Sequence, residues 1–184
     1  MRQRCLSKPH NISQILNSLG YVQIMKIRVG MGFDVHELEA KRNFYLGGIQ
    51  LPDAPKGAVG HSDADVLIHA ICDALLGAAN LRDIGYHFSN TDNRWKGMDS
   101  KFFLKEVTRL VNEKGWSIGN IDCTICLEKP KISSYIADMK KALAPLMNIS
   151  EEDVSIKATT NEKLGYVGRE EGVCAYAVAL IQKD

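Results

Sequence analysis

The sequence predicts an α+β, sandwich-like fold in which a single mixed β-sheet carries helices on one face. Three observations point there. Helix-type and strand-type patterns alternate along the chain without repeats or low-complexity segments. Such alternation calls for helices that cover a sheet, and by itself it admits α/β as well as α+β. The last segment, VCAYAVALI (173–181), is apolar at nearly every position, so it reads as a strand with both faces covered. Finally, 184 residues, 45% hydrophobic and 24% charged, make about one domain with enough apolar surface to offset chain entropy.

The first 25 residues differ in kind. They hold Arg2, Arg4 and Lys8 but no acid, and they lack the apolar core of a secretory signal. A targeting remnant, an early start and a small extension outside the core all remain open. A targeting remnant would point to a plastid; otherwise the expectation is the cytoplasm. The domain itself is expected over 26–184.

KIRVGMGF (26–33), with its β-branched residues and glycines, reads as a buried strand. FYLGGI (44–49) reads as a second, followed by a Pro- and Gly-rich loop. SDADVLIHAICDALLGAANL then reads as a helix, with Ser62 as N-cap and Asp65 as the acid of a capping box. Val66, Ala70 and Ala74, and Leu67, Ile71 and Leu75, recur at spacing four and supply its apolar face. A polar loop follows, then a helix over about 99–114 capped by Asp99 or Ser100 and stopped by Gly115. Residues 117–127 read as a strand, 132–147 as a helix, 153–159 as a strand and 173–182 as the last strand.

Composition excludes several functions. Lys plus Arg is 23 and Asp plus Glu is 22, a net charge of +1. A protein that binds nucleic acid by neutralising phosphates along a broad face needs more positive charge than that. No apolar stretch approaches the roughly 18 residues of a membrane span. Five unevenly spread cysteines suit free thiols in a reducing compartment. Cys123 and Cys126 form a C-x-x-C, but in a strand an offset of three puts them on opposite faces.

Chemistry-bearing residues gather in a few places. Asp34 and His36 lie two apart in extended chain, so both point the same way. With His69 from the helix they form a set that suits Zn²⁺ with one position open; the competing reading is an Asp bonded to a loop and a satisfied core histidine. Asp73, four residues after His69, is either the acceptor that fixes its tautomer or an ordinary polar edge. His61 and Ser62 stand where a helix start favours anions, or merely cap it. RDIG (82–85) and FSNTD (88–92) offer groups for sugar hydroxyls or a lid, or form a solvated loop. KATTNEKLG (157–165) offers hydroxyls and lysines for phosphate, with Glu162 for Mg²⁺, or is a strand-to-turn junction. Glu128-Lys129-Pro130-Lys131 offers cations, or is a charged strand exit.

In this order the motifs GFDVH, GHSDADVLIHAICDALLGAANLRDIG, FSNTD, EKPKI and KATTNEKLGYVGREEG resemble the 2-C-methyl-D-erythritol 2,4-cyclodiphosphate synthases over about residues 26–182. The resemblance implies zinc on Asp34, His36 and His69, and Mg²⁺ or Mn²⁺ on Glu162. It implies His61 and Thr160 as stabilisers of the transition state, with Ser62 at the phosphates. Asp83, Ile84 and Gly85 would hold substrate hydroxyls, and Phe88, Ser89, Asn90, Thr91 and Asp92 would form a flexible loop. Pro130, Lys131, Ile132 and Ser133 would recognise cytidine. Ala158, Thr159 and Asn161 would lie along the cytidylyl phosphate. The implied reaction is closure of a cytidylyl diphosphate substrate into a cyclic diphosphate with release of CMP, in a homotrimer whose sites lie between subunits. Tyr166 and Arg169 would lie near its three-fold axis, where an isoprenoid phosphate is a further implied ligand. No nucleic-acid or membrane partner is expected. Two departures stand out: Asn90 replaces an Asp, and Tyr176 replaces a Glu that pairs with the arginine in some members. A zinc hydrolase and a nucleotide-binding module are the competing functions; the second has no need of both metal sets.

Overall fold

A computed structural model describes residues 25–183; the expectations for the N-terminal extension fall outside these residues, apart from its last one. Five strands form one mixed sheet. They are β1 (Lys26–Ala40), β4 (Lys56–Val59), β5 (Ser117–Cys126), β6 (Val154–Thr159) and β7 (Gly172–Lys183), in the order β4-β1-β7-β5-β6. Only the β5–β6 pair is parallel. A separate two-stranded ribbon joins β2 (Tyr45–Leu46) to β3 (Ile49–Gln50). The expected α+β class with one mixed sheet is the class observed.

The helices are α1 (Val66–Ala78), α2 (Ile84–His87), α3 (Ser100–Glu113), α4 (Ile136–Met147) and α5 (Gly165–Gly168). α1, α3 and α4 build the core against one face of the sheet, with Leu67, Ile71, Leu75, Leu104, Met139 and Leu143 fully buried. The single-turn α5 is the exception, since Val167 packs on Cys126 and Cys174 of the opposite face.

β1 shows why α1 can come so close. Gly30, Gly32, Asp34 and His36 alternate onto the helix side. A Cβ on Gly30 would stand 2.0 Å from the Ala74 carbonyl, and one on Gly32 would stand 2.0 Å from that of Ala70. Two missing side chains thus seat the helix backbone on the strand. His69, the neighbour of Ala70, is thereby delivered over Asp34, two residues beyond Gly32.

Several expectations need correction. The first helix is capped by Asp65, which accepts from Ile68 N at 3.1 Å, and not by Ser62. Ala64 has φ +59°, a left-handed break that stops the helix from reaching back to Ser62. Asp65 also accepts from Gly47 N and Gly48 N, which ties the ribbon turn to the helix start. FYLGGI is not one strand: Gly47 and Gly48 have φ +63° and +81° and form the two-residue turn between β2 and β3. The stretch read as a Pro- and Gly-rich loop contains β4, and β1 runs on to Ala40 to pair with it. Cys123 and Cys126 do lie on opposite faces of β5.

The other face of the sheet carries Ile27, Val29, Met31, Phe33, Val35, Tyr176 and Val178, all exposed in the single chain. One chain therefore covers β7 on one side only along most of its length. No helix among the described residues is long and apolar enough to cross a membrane.

Candidate active site

Asp34, His36 and His69 converge. His36 Nε2 lies 3.0 Å from Asp34 Oδ2, His69 Nδ1 lies 2.9 Å from the same oxygen, and the two ring nitrogens are 3.1 Å apart. Among the described residues this is the grouping that brings three metal-ligating side chains to one point. His36 Nδ1 donates to the Val59 carbonyl at 2.9 Å; a carbonyl only accepts, so the neutral ring presents a bare lone pair at Nε2. A lone pair, a carboxylate oxygen and a second ring nitrogen lie on a triangle about 3 Å on edge, and a cation among them would satisfy all three at once, where a single proton satisfies only part of the set. That donor set fits a small N/O-loving dication. Burial alone would raise Asp34 and lower His36. The Asp34 contacts with His36 and His69 outweigh it, holding Asp34 down to about 2 and raising His36.

A cleft of about 450 Å³ opens beside the triad. Of the residues singled out in the sequence, His61, Ser62, Ile84, Gly85, Phe88 and Asn90 line it, and Gly60, Trp95 and Phe103 join them. No sequence pattern singles out the two aromatics, which read as an irregular loop residue and an ordinary core residue. Phe88 packs between Trp95 and Phe103, with ring centroids 5.5 and 5.0 Å away, so the 88–92 loop is anchored at its start by an aromatic cluster.

Other residues turn elsewhere. Asp83 caps α2 by accepting from Tyr86 N at 3.0 Å and does not line the cleft. Asp92 accepts from Arg94, and Ser89 bonds Thr91 at 2.8 Å, so those side chains tie up the loop. His61 Nε2 donates to the Asp92 carbonyl at 3.1 Å; a neutral His61 thus commits its only N–H to the loop. Asp73 is not the tautomer-fixing acceptor of His69. It accepts from Ile84 N at 2.7 Å, while His69 Nε2 lies 3.0 Å from Ser100 Oγ and 3.3 Å from Ser62 Oγ. Asp99 caps α3 through Lys101 N, so Ser100 is free to turn inward, where it is completely buried.

The second set occupies its own cleft of about 330 Å³, lined by Leu127, Pro130, Lys131, Ile132, Ser133, Ala158, Thr159 and Thr160. Glu162 sits beyond it in a left-handed turn with Lys163 (φ +51° and +64°). Glu128 braces that turn by accepting from Asn161 N at 2.9 Å and Lys163 N at 3.3 Å. Thr160 Oγ1 donates to Glu162 at 3.0 Å. Glu162 offers a single carboxylate, which suits Mg²⁺ completed by phosphate oxygens and water. The clefts share one end of the sheet: His36 pairs with Val173, and Cys126 pairs with Cys174 and Thr159. β7 separates them. Near that end Arg169 makes two bonds to Glu171, at 3.0 and 2.9 Å. Arg169 thus finds its acid two residues along the chain and not at position 176, where Tyr176 packs against Phe33 with ring centroids 5.0 Å apart and planes tilted by 43°.

Comparison with known proteins shows what the chain is similar to. The sequence model of the YgbB family matches residues 27–182. A Cytophaga hutchinsonii protein named 2-C-methyl-D-erythritol 2,4-cyclodiphosphate synthase is 67% identical over 159 residues, covering 86% of this chain and 99% of that protein. A Bacteroides thetaiotaomicron protein of the same name is 59% identical over 160 residues, 87% of this chain and 100% of that one. Among solved structures, a synthase of that name in a CDP-bound form superposes with a TM-score of 0.77 at 38% identity, covering 84% of this chain and 99% of its own. A Plasmodium falciparum CDP complex does so with a TM-score of 0.76 at 31% identity, covering 86% and 97%.

Proposed function

We propose, because the chain belongs to the YgbB family, that it converts 4-diphosphocytidyl-2-C-methyl-D-erythritol 2-phosphate into 2-C-methyl-D-erythritol 2,4-cyclodiphosphate and CMP. It is a phosphorus–oxygen lyase of non-mevalonate isoprenoid precursor synthesis. An oxygen of the 2-phosphate forms a bond to the β-phosphorus of the same molecule, and the bond from that phosphorus to the CMP oxygen breaks, CMP leaving with the electron pair. The observation that carries this reading is the convergence of Asp34, His36 and His69 in a cleft shared with His61, Ser62 and Gly85.

The attacking phosphate is largely ionised at neutral pH, its second pKa being about 6, so no strong base is needed. What the protein must do is fold a flexible polyanion back on itself and offset charge. Asp34, His36 and His69 would hold Zn²⁺, which when bound supplies a fixed positive charge for the diphosphate oxygens. Glu162 would hold Mg²⁺ or Mn²⁺ with few other protein ligands. Ile84 and Gly85 meet the erythritol hydroxyls from the cleft wall, with Asp83 setting the turn beneath them. Asn90 offers a donor and an acceptor but no charge. His61 donates to phosphate once the loop releases Nε2 or the ring takes a second proton; Thr160 does so from the other cleft. Pro130, Lys131, Ile132 and Ser133 take the cytosine and ribose, and Ala158 and Thr159 lie along the α-phosphate.

Two half-sites in separate clefts support a homotrimer in which the metal cleft of one subunit faces the nucleotide cleft of the next. The uncovered apolar face supports it too. An isoprenoid phosphate on the three-fold axis would meet Tyr166 and Arg169, and would have to displace Glu171 from the arginine. A cytoplasmic setting suits the free thiols of Cys72, Cys123, Cys126 and Cys174.

The test is incubation with the cytidylyl substrate and Mg²⁺, with and without a zinc chelator, read by phosphorus NMR. The expected products are CMP and a cyclic diphosphate, lost on chelation. Two open-chain phosphates would mean a hydrolase, and bound CMP without turnover would mean a binding module.

A further inference from the structure

We propose that Ser100 and Asp63 are positioning residues for the metal centre. Asp63 holds the Ser100 hydroxyl so that it can only accept from His69 Nε2–H, which leaves His69 Nδ1 bare and aimed at the metal position. The inference rests on the reading of Asp34, His36 and His69 as ligands of zinc.

An ionised carboxylate only accepts. Asp63 accepts from Ser100 N at 3.0 Å, from Asp65 N at 3.3 Å and from the Ser100 hydroxyl in a short contact. Ser100 has one hydroxyl proton, and Asp63 takes it. Towards His69 Nε2, 3.0 Å away, Ser100 therefore presents only lone pairs. Ser100 is completely buried, so solvent cannot supply another donor. Ser62 Oγ, 3.3 Å from the same nitrogen, receives Ala64 N at 3.2 Å; its own hydroxyl proton goes to Ser100 Oγ, 3.4 Å away, whose proton is already spent on Asp63, so Ser62 too meets Nε2 as an acceptor. The proton of the neutral ring must then sit on Nε2, and Nδ1 is a lone pair.

The arrangement matters because Asp34 pulls the other way. Its Oδ2 stands 2.9 Å from His69 Nδ1 and, in metal-free protein, stabilises a proton there. A proton on Nδ1 has to leave before a metal can bind. His36 is protected from this choice by the backbone carbonyl of Val59, which cannot change its role. The corresponding partner of His69 is built from two side chains, brought in from the 61–65 loop and the first turn of α3. Partners of this kind tune ligand basicity as well as ring orientation.

The experiment compares the full-length protein with Ser100→Ala, Ser100→Thr and Asp63→Asn. Zinc dissociation constants are measured by competition with a chelating dye, and the His69 tautomer in metal-free protein by long-range ¹H–¹⁵N NMR. Ser100→Ala and Asp63→Asn are expected to weaken zinc about 10- to 100-fold. In Asp63→Asn an amide N–H₂ faces Ser100, whose hydroxyl proton then turns to His69 Nε2 and drives the ring to the Nδ1–H form. Ser100→Thr keeps the hydroxyl and is expected to bind zinc within about threefold of the parent. Equal zinc affinity in Ser100→Ala, Asp63→Asn and the parent overturns the proposal. So does a Ser100→Thr protein as weak as Ser100→Ala, because packing would then be the cause. An Asp63→Asn protein that keeps the parental tautomer overturns the role of Asp63. A parent that binds no zinc at all overturns the ligand reading itself, and that result is distinct from a zinc-binding parent with unaffected variants.

Discussion

A lone imidazole on a helix says little about chemistry; what matters at His69 is that its Nδ1 sits 2.9 Å from Asp34 and 3.1 Å from His36. Removing it leaves two of three ligands, too few to hold a dication tightly. His69→Ala is therefore expected to purify with almost no zinc and to lose at least about 10²-fold in turnover, the order seen when one major electrostatic group is deleted. Elemental analysis and a kinetic assay check both, and normal metal content would show the ligand assignment to be wrong. Glu162 makes a different prediction, because its one carboxylate shares the cation with phosphate oxygens. Glu162→Gln is expected to shift the Mg²⁺ or Mn²⁺ concentration for half-maximal activity upward while leaving zinc content unchanged; a superimposable metal titration counts against the role. Asp34 and His36 were legible in the sequence because extended chain puts i and i+2 on one side. His69, 33 residues from its partner, could be named as a third ligand by residue type, but spacing did not show that it meets the pair, and the family resemblance is what favoured that reading over a satisfied core histidine. The inward hydroxyl of Ser100 left no mark at all: a serine next to a capping aspartate reads as a cap.

At the scale of elements, the site depends on how closely α1 approaches β1. Gly30 and Gly32 in the strand admit the helix backbone to a distance that no side chain would allow. Gly32→Ala would push its Cβ into the Ala70 carbonyl, and backbone cannot swing aside as a flexible side chain can. The expected cost is about 1–3 kcal/mol from overpacking, read as a lower melting temperature. Because His69 rides on the same turn as Ala70, zinc affinity should fall with it. A variant that melts lower yet binds zinc like the parent would separate packing from ligand placement and refute the link. The periodicity of α1 was plain in the sequence, yet its start was misplaced, since nothing in HSDAD announces that Ala64 adopts φ +59°. The β2–β3 ribbon was read as one strand because its Gly47-Gly48 turn was not recognised, and β4 was missed altogether. Short edge elements rich in Gly and Pro look like loops, and pairing with the far end of β1 is what makes β4 a strand.

At the scale of the molecule, two facts need a common explanation. The residues expected to act on one substrate lie in two clefts separated by β7, and the sheet face opposite the helices is an uncovered apolar surface. Val29 and Met31 stand there 64% and 66% exposed. Contiguous apolar patches of that kind mark interfaces, and a closed ring of subunits answers both facts by burying the face and setting unlike clefts against each other. The two possibilities predict opposite results for Met31→Asp. In a monomer this is a change on an open surface, within about 0.5 kcal/mol of neutral, and activity should survive. In the trimer a carboxylate enters a buried apolar contact near its copies from the other subunits. Sedimentation should then show monomers, and turnover should vanish although each chain keeps its own Asp34, His36 and His69 and still binds zinc. An active, monomeric Met31→Asp protein would mean that one chain completes the site by itself.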